Sequence, residues 1–293
     1  MAKKAKKLMG PLGRRGRFDI DFGDLGFAGV PGKVYVPRMD ARRAPLLAFA
    51  HDWTKSSKHY QDTLKHFASW GFIVVATDSG SGFFAKQASY VDALSDSIEA
   101  VFNADLGSGN LRPDTGRIGV MGHGLGAGAA TVLASYRTDI SAVVAAFPKP
   151  VAAGAVGRSS LVSAPGLIIS ADGSEDAAEA MWLGQTWNGE CVHRRVKAEE
   201  GGLVEGNPLL RGVGLASGDH KTQVLVRRLA TGFLLSELAG DAEYAAFSDP
   251  ETEIPGTTLV DGKLIQKEEE DALAKEAKEV PMWQTVARAA IKR

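Results

Sequence analysis

Unbroken apolar runs and helically spaced apolar residues alternate along this chain. Short unbroken runs are typical of strands that are buried on both faces of a parallel sheet. Such runs occur at 33–37, 45–50, 72–76, 117–121, 140–147 and 166–170. Between them the apolar residues take the spacing of a helix, at 57–70, 89–102 and 219–239. The alternation predicts an α/β protein with a mostly parallel sheet and helices on both of its faces.

The N-terminal segment differs in character from this core. Residues 1–17 contain no acidic residue and the basic residues Lys3, Lys4, Lys6, Lys7, Arg14, Arg15 and Arg17. A run of like charges is usually a solvated, flexible tail, so we place the start of the folded domain, 18–249, after it. The alternative is that the basic segment touches an anionic membrane surface.

The C-terminal segment, 250–293, is predicted to be an extension of that domain. Within 257–266, an Asp261-Gly262 pair lies between apolar residues, which predicts a β-hairpin. The stretch 267–278 is rich in Glu, Lys and Ala and predicts a charged helix, followed by a more apolar stretch at 280–291. We therefore expect a hairpin and a helix after the main domain.

Charge and cysteine content exclude several classes of protein. The 293 residues include 34 Lys+Arg and 35 Asp+Glu, so no bulk charge favours nucleic-acid binding. The single cysteine, Cys191, allows no internal disulfide bond. No apolar run is long enough to span a membrane, and the cationic N-terminus lacks the apolar stretch of a signal peptide. We expect a cytoplasmic protein, which its basic tail would bring to the inner membrane face.

One turn carries most of the functional information. Residues 118–132 read Ile-Gly-Val-Met-Gly-His-Gly-Leu-Gly-Ala-Gly-Ala-Ala-Thr-Val, a strand, a glycine-rich turn and a small-residue helix. This is the frame of the nucleophile elbow G-x-S-x-G, with Gly122 and Gly126 at the outer positions and Gly124 in place of the serine. A dinucleotide-binding loop is the alternative, but the G-x-G-x-x-G spacing and the later acidic residue are missing.

From Pro45 to about Asp249, the chain resembles the bacterial cutinase-like polyester hydrolases and, at a greater distance, the chlorophyllase-like esterases. Five blocks in the same order carry the resemblance: 50–54, 66–75, 117–128, 165–172 and 229–247. The resemblance implies the α/β-hydrolase fold. No spacing of His, Asp and Glu fits a metal template, and we expect neither a metal nor a cofactor.

The resemblance also assigns positions to a serine hydrolase triad, which needs a nucleophile, a histidine and a carboxylate. The nucleophile position is Gly124, the acid position is Ser174, and His220 fits the histidine. The backbone amides of Trp53 and Leu125 correspond to the oxyanion-hole donors. Two of the three triad groups are therefore missing.

Substitutes for the missing groups lie nearby in sequence. Carboxylates beside the acid position are Asp172, Glu175 and Asp176, and other nucleophiles are Ser79, Ser81 and Cys191. None of these nucleophiles lies on an elbow. We expect His51, His123 and Phe147 to line the pocket, where the polyester hydrolases have a substrate-stacking aromatic near Phe147 or Val151.

These observations predict a catalytically degenerate hydrolase, a pseudo-hydrolase that acts by binding a small molecule or a protein partner in a regulatory or scaffold role. The alternative is a weak or unconventional hydrolase of carboxylic esters or lactones. Fold alone favours neither, because one fold carries many functions.

Overall fold

A computed structural model describes residues 2–78, 87–102, 104–107, 111–149, 155–173, 177–198, 200–206, 219–262, 264–267 and 270. The chain divides into two compact units, Met1–Leu259 and Val260–Arg293. The strands of the first unit are β1 Ile20–Asp24, β2 Gly32–Pro37, β3 Arg43–Ala50, β4 Ile73–Thr77, β5 Arg112–His123, β6 Ile140–Ala146, β7 Gly166–Ala171, β8 Cys191–Val196 and β9 Thr257–Leu259.

Helices connect most of these strands. They are α1 Ala2–Leu12, α2 Gln61–Ser69, α3 Gln87–Phe102, α4 Leu125–Ala134, α5 Ala155–Ser159, α6 Ala177–Thr186 and α7 His220–Glu237. Four short 3-10 helices lie at Leu25–Ala28, Ser57–Tyr60, Glu200–Leu203 and Ala242–Phe247.

The described strands form one sheet in the order β1-β2-β4-β3-β5-β6-β7-β8-β9. The strands from β4 to β8 in that order pair in parallel, whereas β1, β2 and β9 pair antiparallel with their neighbours. Parallel strands bring their carboxyl ends to one edge of the sheet. Loops that follow β3 and β5 therefore meet there, and the candidate site lies at that edge.

Apolar side chains cover both faces of the sheet. Along β3, Leu47 and Phe49 belong to one buried cluster, with α1, α2 and α7. Leu46 and Ala48 point to the other cluster, with α3 and α4. This two-sided burial explains why the central strands read as unbroken apolar runs. The predicted α/β-hydrolase class, a mostly parallel sheet between helical layers, is confirmed.

The basic N-terminal segment is ordered, contrary to the predicted flexible tail. Residues Ala2–Leu12 form α1, in which Ala5, Leu8, Met9 and Leu12 are buried in the same apolar cluster as α7. Their spacing forms one face of a helix, which the lysines between them obscure in the sequence. Residues after α1 are also held, because the amide of Gly16 donates to Ser69 Oγ at 2.8 Å.

The predicted hairpin is wrong. Thr257–Leu259 pairs with β8, so the sheet extends beyond the predicted domain end at 249. Gly262 is helical, and Asp261 accepts a hydrogen bond from the amide of Leu264 at 2.8 Å. Asp261 therefore caps a helical turn. Most of the helix predicted at 267–278 lies outside the described residues.

Candidate active site

Strand β5 ends in a sharp turn at Gly124. Its φ of 57° and ψ of −119° lie in a region that side chains strain to adopt. Helix α4 starts at the next residue, Leu125. A Cβ on Gly122 would collide with the carbonyl oxygen of Gly126, and one on Gly126 with that of Ala50. The two outer glycines are thus required by the close approach of α4 to the sheet, as in a nucleophile elbow.

The neighbouring strand β6 fixes this turn from below. The amide of Gly124 donates to the carbonyl of Ala146 at 3.0 Å, and the amide of Lys149 donates to the carbonyl of Gly124 at 3.3 Å. With both backbone groups of Gly124 bonded, the tip of the turn is held rigidly. It presents whatever lies at position 124 to the carboxyl edge of the sheet.

The carboxylate of Asp52 lies at the tip of the turn. In the parallel pairing of β3 with β5, Ala50 is opposite Gly122, so the chain after β3 brings Asp52 alongside Gly124. A Cβ built on Gly124 would collide with Asp52 Oδ1 and Cγ and lie 2.9 Å from Oδ2. The space that a serine side chain would take at this position is therefore filled by Asp52.

Both oxygens of this buried carboxylate are engaged. Asp52 Oδ1 accepts a hydrogen bond from the amide of Leu125 at 3.0 Å, and Oδ2 lies 2.8 Å from Lys149 Nζ. Burial alone would raise the pKa of Asp52, but His123, Lys149 and the Leu125 amide outweigh it, and the pKa is lowered. Asp52 is therefore a fixed anion at the start of α4, where the helix dipole also favours negative charge.

Two tyrosines and two histidines form a cluster around the backbone of Asp52: His51, Tyr60, Tyr90 and His123. The amide of Asp52 donates to Tyr60 Oη at 3.2 Å, and Tyr60 Oη lies 2.8 Å from His123 Nδ1. His51 Nδ1 lies 2.8 Å from the carbonyl oxygen of Asp52. A carbonyl only accepts, so Nδ1 carries the proton there and, in the neutral ring, Nε2 is left as an acceptor. Burial lowers the pKa of His51, which keeps the ring neutral.

Among the residues that the structure describes, His51 Nε2 and Tyr90 Oη are buried and have no hydrogen-bond partner. The two rings meet edge to face with centroids 5.3 Å apart. Buried polar atoms normally have partners, so these two atoms leave hydrogen-bonding capacity unused within the described part of the site.

The structure places the predicted site residues as follows. The amide of Leu125 is at the site but donates to Asp52, and the side chain of Trp53 is 40% exposed. Phe147 is buried, with its ring centroid 5.8 Å from that of His123. It is therefore part of the packing beneath the site and does not offer a surface for substrate stacking.

The predicted triad histidine is not joined to the turn by any described contact. His220 is the first residue of α7 and is exposed, and no hydrogen bond or ion pair between described residues links it to Gly124 or Asp52. Ser174 lies outside the described residues, as do Glu175, Asp176, Ser79, Ser81 and Val151.

Neither of the remaining substitutes has a described contact with the turn. Asp172 is exposed after β7. Cys191 begins β8, and burial raises the pKa of its thiol to about 12. The described residues contain no group of three His, Cys, Asp or Glu side chains that could hold a metal ion.

Sequence reasoning missed Asp52 and Lys149. The resemblance assigns to the block 50–54 an oxyanion amide and gives its aspartate no role. The available signal was position, because a carboxylate two residues beyond β3 and a lysine three residues beyond β6 both end at the edge that holds the elbow.

Comparisons with known proteins agree with the fold. A family model described as Chlorophyllase matches residues 31–158. Cutinase 2 of Thermobifida cellulosilytica is 29% identical over 127 residues, 43% of this chain and 47% of that protein. Cutinase cut1 of Thermobifida fusca is 29% identical over 127 residues, 43% of this chain and 39% of that protein. Cutinase est2 of Thermobifida alba is 28% identical over 127 residues, 43% of this chain and 41% of that protein.

This chain is similar to α/β-hydrolase-like esterases. The chain spans less than half the length of the curated relatives it matches. The Chlorophyllase match includes Asp52, the turn at Gly124 and Lys149, and it ends before Ser174 and His220. Among the described residues, no helix is both long and apolar enough to cross a membrane.

Proposed function

We propose that this chain is a pseudo-hydrolase that acts by binding. The observation that carries the proposal is the Asp52 carboxylate, which takes the space of a side chain at position 124 and accepts the amide of Leu125. A serine hydrolase needs a hydroxyl at the first place and a free N–H at the second. In this chain, the hydroxyl is missing because position 124 is glycine, and the N–H of Leu125 is bonded to the Asp52 carboxylate.

Asp52 itself is a poor substitute nucleophile. Carboxylates do act as nucleophiles in some enzymes, but an attacking oxygen must be free, and the oxyanion that forms needs donors of its own. Here Lys149 neutralises one oxygen and the Leu125 amide binds the other. Attack by Asp52 would have to break these contacts and would leave the developing oxyanion without the Leu125 donor.

The competing function is weak hydrolysis of an ester or lactone. Loss of a triad nucleophile lowers turnover by about a million-fold. The rate enhancement that remains, about a thousand-fold over water, comes from the oxyanion hole and binding. Because the Leu125 amide is already bonded to Asp52, we expect the rate enhancement of this chain to be smaller still.

The unused hydrogen-bonding capacity of His51 and Tyr90, counted over the described part of the chain, supports a small-molecule ligand over a purely structural role. His51 Nε2 offers an acceptor and Tyr90 Oη either a donor or an acceptor, both in the cluster around Asp52. A small neutral molecule with N–H or O–H donors would satisfy them. A protein partner bound at the same edge remains the other form of the proposal.

Labelling with a fluorophosphonate probe tests the loss of catalysis. We expect no labelled serine in the purified protein and no burst with a short-chain p-nitrophenyl ester, beside a cutinase with an intact serine as the positive control. Stoichiometric labelling at any serine would overturn the proposal and identify the nucleophile.

Ligand-observed NMR with a panel of small neutral amides and alcohols tests the binding role. We expect compounds of this class to bind the wild type and to lose binding in Tyr90→Phe. The control is Tyr136→Phe, since Tyr136 is 51% exposed and not part of the cluster. Equal binding by wild type and Tyr90→Phe would contradict the assignment of the ligand to this cluster.

A further inference from the structure

A cationic cleft lies at the β1 edge of the sheet, next to α2. It has a volume of about 560 Å³ and is lined by Arg15, Arg17, Arg38 and Lys65, with Asp19 as its acidic residue and Phe22 at its side. Four positive charges therefore surround one negative charge. Such a surface attracts anions at long range.

Three of these cations are available to a ligand. Arg38 is paired with Asp21 at 2.5 Å. Within the described residues, no carboxylate forms a salt bridge with Arg15, Arg17 or Lys65. Arg15 and Arg17 are exposed, and Lys65 is half-buried with its ammonium 5.5 Å from the centroid of the Phe22 ring.

Exposed aromatic rings adjoin the cleft. The side chain of Phe22 is 71% exposed and that of Phe27 is 61% exposed. Both line a second cleft of about 310 Å³, which also contains the carboxylates of Asp21, Asp24 and Asp105. Each of these carboxylates forms a salt bridge, with Arg38, Lys33 and Arg112 respectively, so the second cleft carries no unpaired acidic group of this set. Single exposed apolar residues are common, but two rings lining one cleft beside a basic one form an amphipathic surface of the kind that lies in a membrane interface.

Helix α1 adds charge to this end of the molecule but no apolar contact. Lys3, Lys4, Lys6 and Lys7 are exposed, whereas the apolar side chains of α1 are buried in the protein. The chain from α1 to the cleft is held in place, because Trp70 Nε1 donates to the carbonyl of Arg14 at 3.1 Å. The exposed apolar side chains at this surface that could insert into a bilayer are therefore those of Phe22 and Phe27, not those of α1.

We propose that the surface formed by Arg15, Arg17, Lys65, Phe22 and Phe27 docks on a bilayer that contains anionic phospholipid. The cations bind the lipid phosphates and carboxylates while the two rings enter the boundary between headgroups and acyl chains. This combination distinguishes a bilayer from a free phosphate, which needs the charges alone. It also assigns the sequence-based membrane hypothesis to a surface centred on the cleft.

Co-sedimentation with vesicles tests this proposal on the full chain. We expect binding to phosphatidylcholine vesicles that contain phosphatidylserine, little binding to pure phosphatidylcholine, and a steep loss as salt is raised. Each basic residue near such a surface changes the partition coefficient about fivefold, so Arg15→Gln/Arg17→Gln/Lys65→Gln should lower it about a hundredfold. Phe22→Ala/Phe27→Ala should lower it at least about tenfold.

Matched controls separate the cleft from charge in general. Arg158→Gln/Lys197→Gln/Lys221→Gln removes three exposed cations outside the cleft and should bind as the wild type does. Equal loss in this control would overturn the proposed surface. So would undiminished binding by Phe22→Ala/Phe27→Ala, equally tight binding of soluble glycerophosphoserine, or equally tight binding of single-stranded DNA. Only variants whose melting temperature equals that of the wild type are compared. A variant that is unfolded is replaced by the single substitutions of the same set.

Discussion

A methyl group at position 124 is expected to collide with the protein's own carboxylate. In Gly124→Ala the new Cβ overlaps Asp52 Oδ1 and Cγ, and the backbone stays at a φ of 57° and a ψ of −119°. That conformation costs about 1–3 kcal/mol in a non-glycine residue. Moving the carboxylate away breaks its hydrogen bond with the Leu125 amide, and a bond to a charged group contributes about 1.5–3 kcal/mol. Lys149 is about one-third exposed, so water compensates part of the lost ion pair.

The sum predicts a destabilisation of about 3–5 kcal/mol in Gly124→Ala. Urea denaturation measures it as a change in the free energy of unfolding. Two comparisons isolate the collision from the backbone strain. Gly240 has a φ of 68°, and a Cβ built on it would have no atom within 4 Å. The variant Gly240→Ala should therefore lose only about 1–2 kcal/mol of unfolding free energy. In an Asp52→Gly background, Gly124→Ala should lose only the strain energy.

These measurements form a double-mutant cycle between positions 52 and 124. We expect a coupling energy of about 2 kcal/mol, within the range for residues in direct contact. Additive effects of the two substitutions, or a Gly124→Ala cost equal to that of Gly240→Ala, would refute the placement of Asp52 at the tip of the turn.

Three further predictions follow from the buried titratable groups and from the blocked turn. The pKa of Asp52 is lowered from 3.8, so its charge stabilises the fold above that pH, and this contribution is lost as the pH falls through the folded pKa. The difference in unfolding free energy between wild type and Asp52→Asn should therefore shrink in acid. A difference that does not depend on pH would contradict this prediction. Burial and the charge of Arg227 lower the pKa of His66 from 6.5 to about 3, so the unfolded chain binds a proton first and stability should fall from about pH 6.5 towards 3, less steeply in His66→Gln. Gly124→Ser alone should have no esterase activity on a p-nitrophenyl ester. The triple variant Asp52→Gly/Gly124→Ser/Ser174→Asp should be more active than the double variant Gly124→Ser/Ser174→Asp, because it lacks the carboxylate at the turn. Equal activity of the two would mean that Asp52 does not block the turn.

The backbone of the site follows from the sequence, whereas its central side chain does not. Gly122 and Gly126 are required by contacts within one strand-turn-helix unit, and local contacts of that kind leave a readable motif. Asp52 reaches the same turn from a different strand, through the pairing of Ala50 with Gly122. Strand order and register are set by the whole sheet, so the position of an aspartate after β3 indicates the shared edge but not its contact with Gly124.

The N-terminal helix was missed for a different reason. Ala5, Leu8, Met9 and Leu12 have the spacing of one helix face, but the lysines between them dominate the composition of the segment. A charge count averages over both faces of a helix, whereas burial depends on one of them. The hairpin at Asp261-Gly262 failed similarly, because an aspartate before a glycine also suits a helix cap.

The amide proton of Leu125 gives the most direct test of the central claim. This claim is that the Asp52 carboxylate fills the space at the tip of the elbow and accepts the hydrogen bond of the Leu125 amide, the predicted oxyanion donor. In NMR spectra of the wild type, this resonance should lie downfield and follow the protonation of Asp52 in acid, because the two groups are hydrogen-bonded at 3.0 Å. In Asp52→Ala it should move upfield and lose this titration while Gly240, remote in sequence, stays unchanged. A Leu125 amide that ignores both the pH and the substitution would contradict the account.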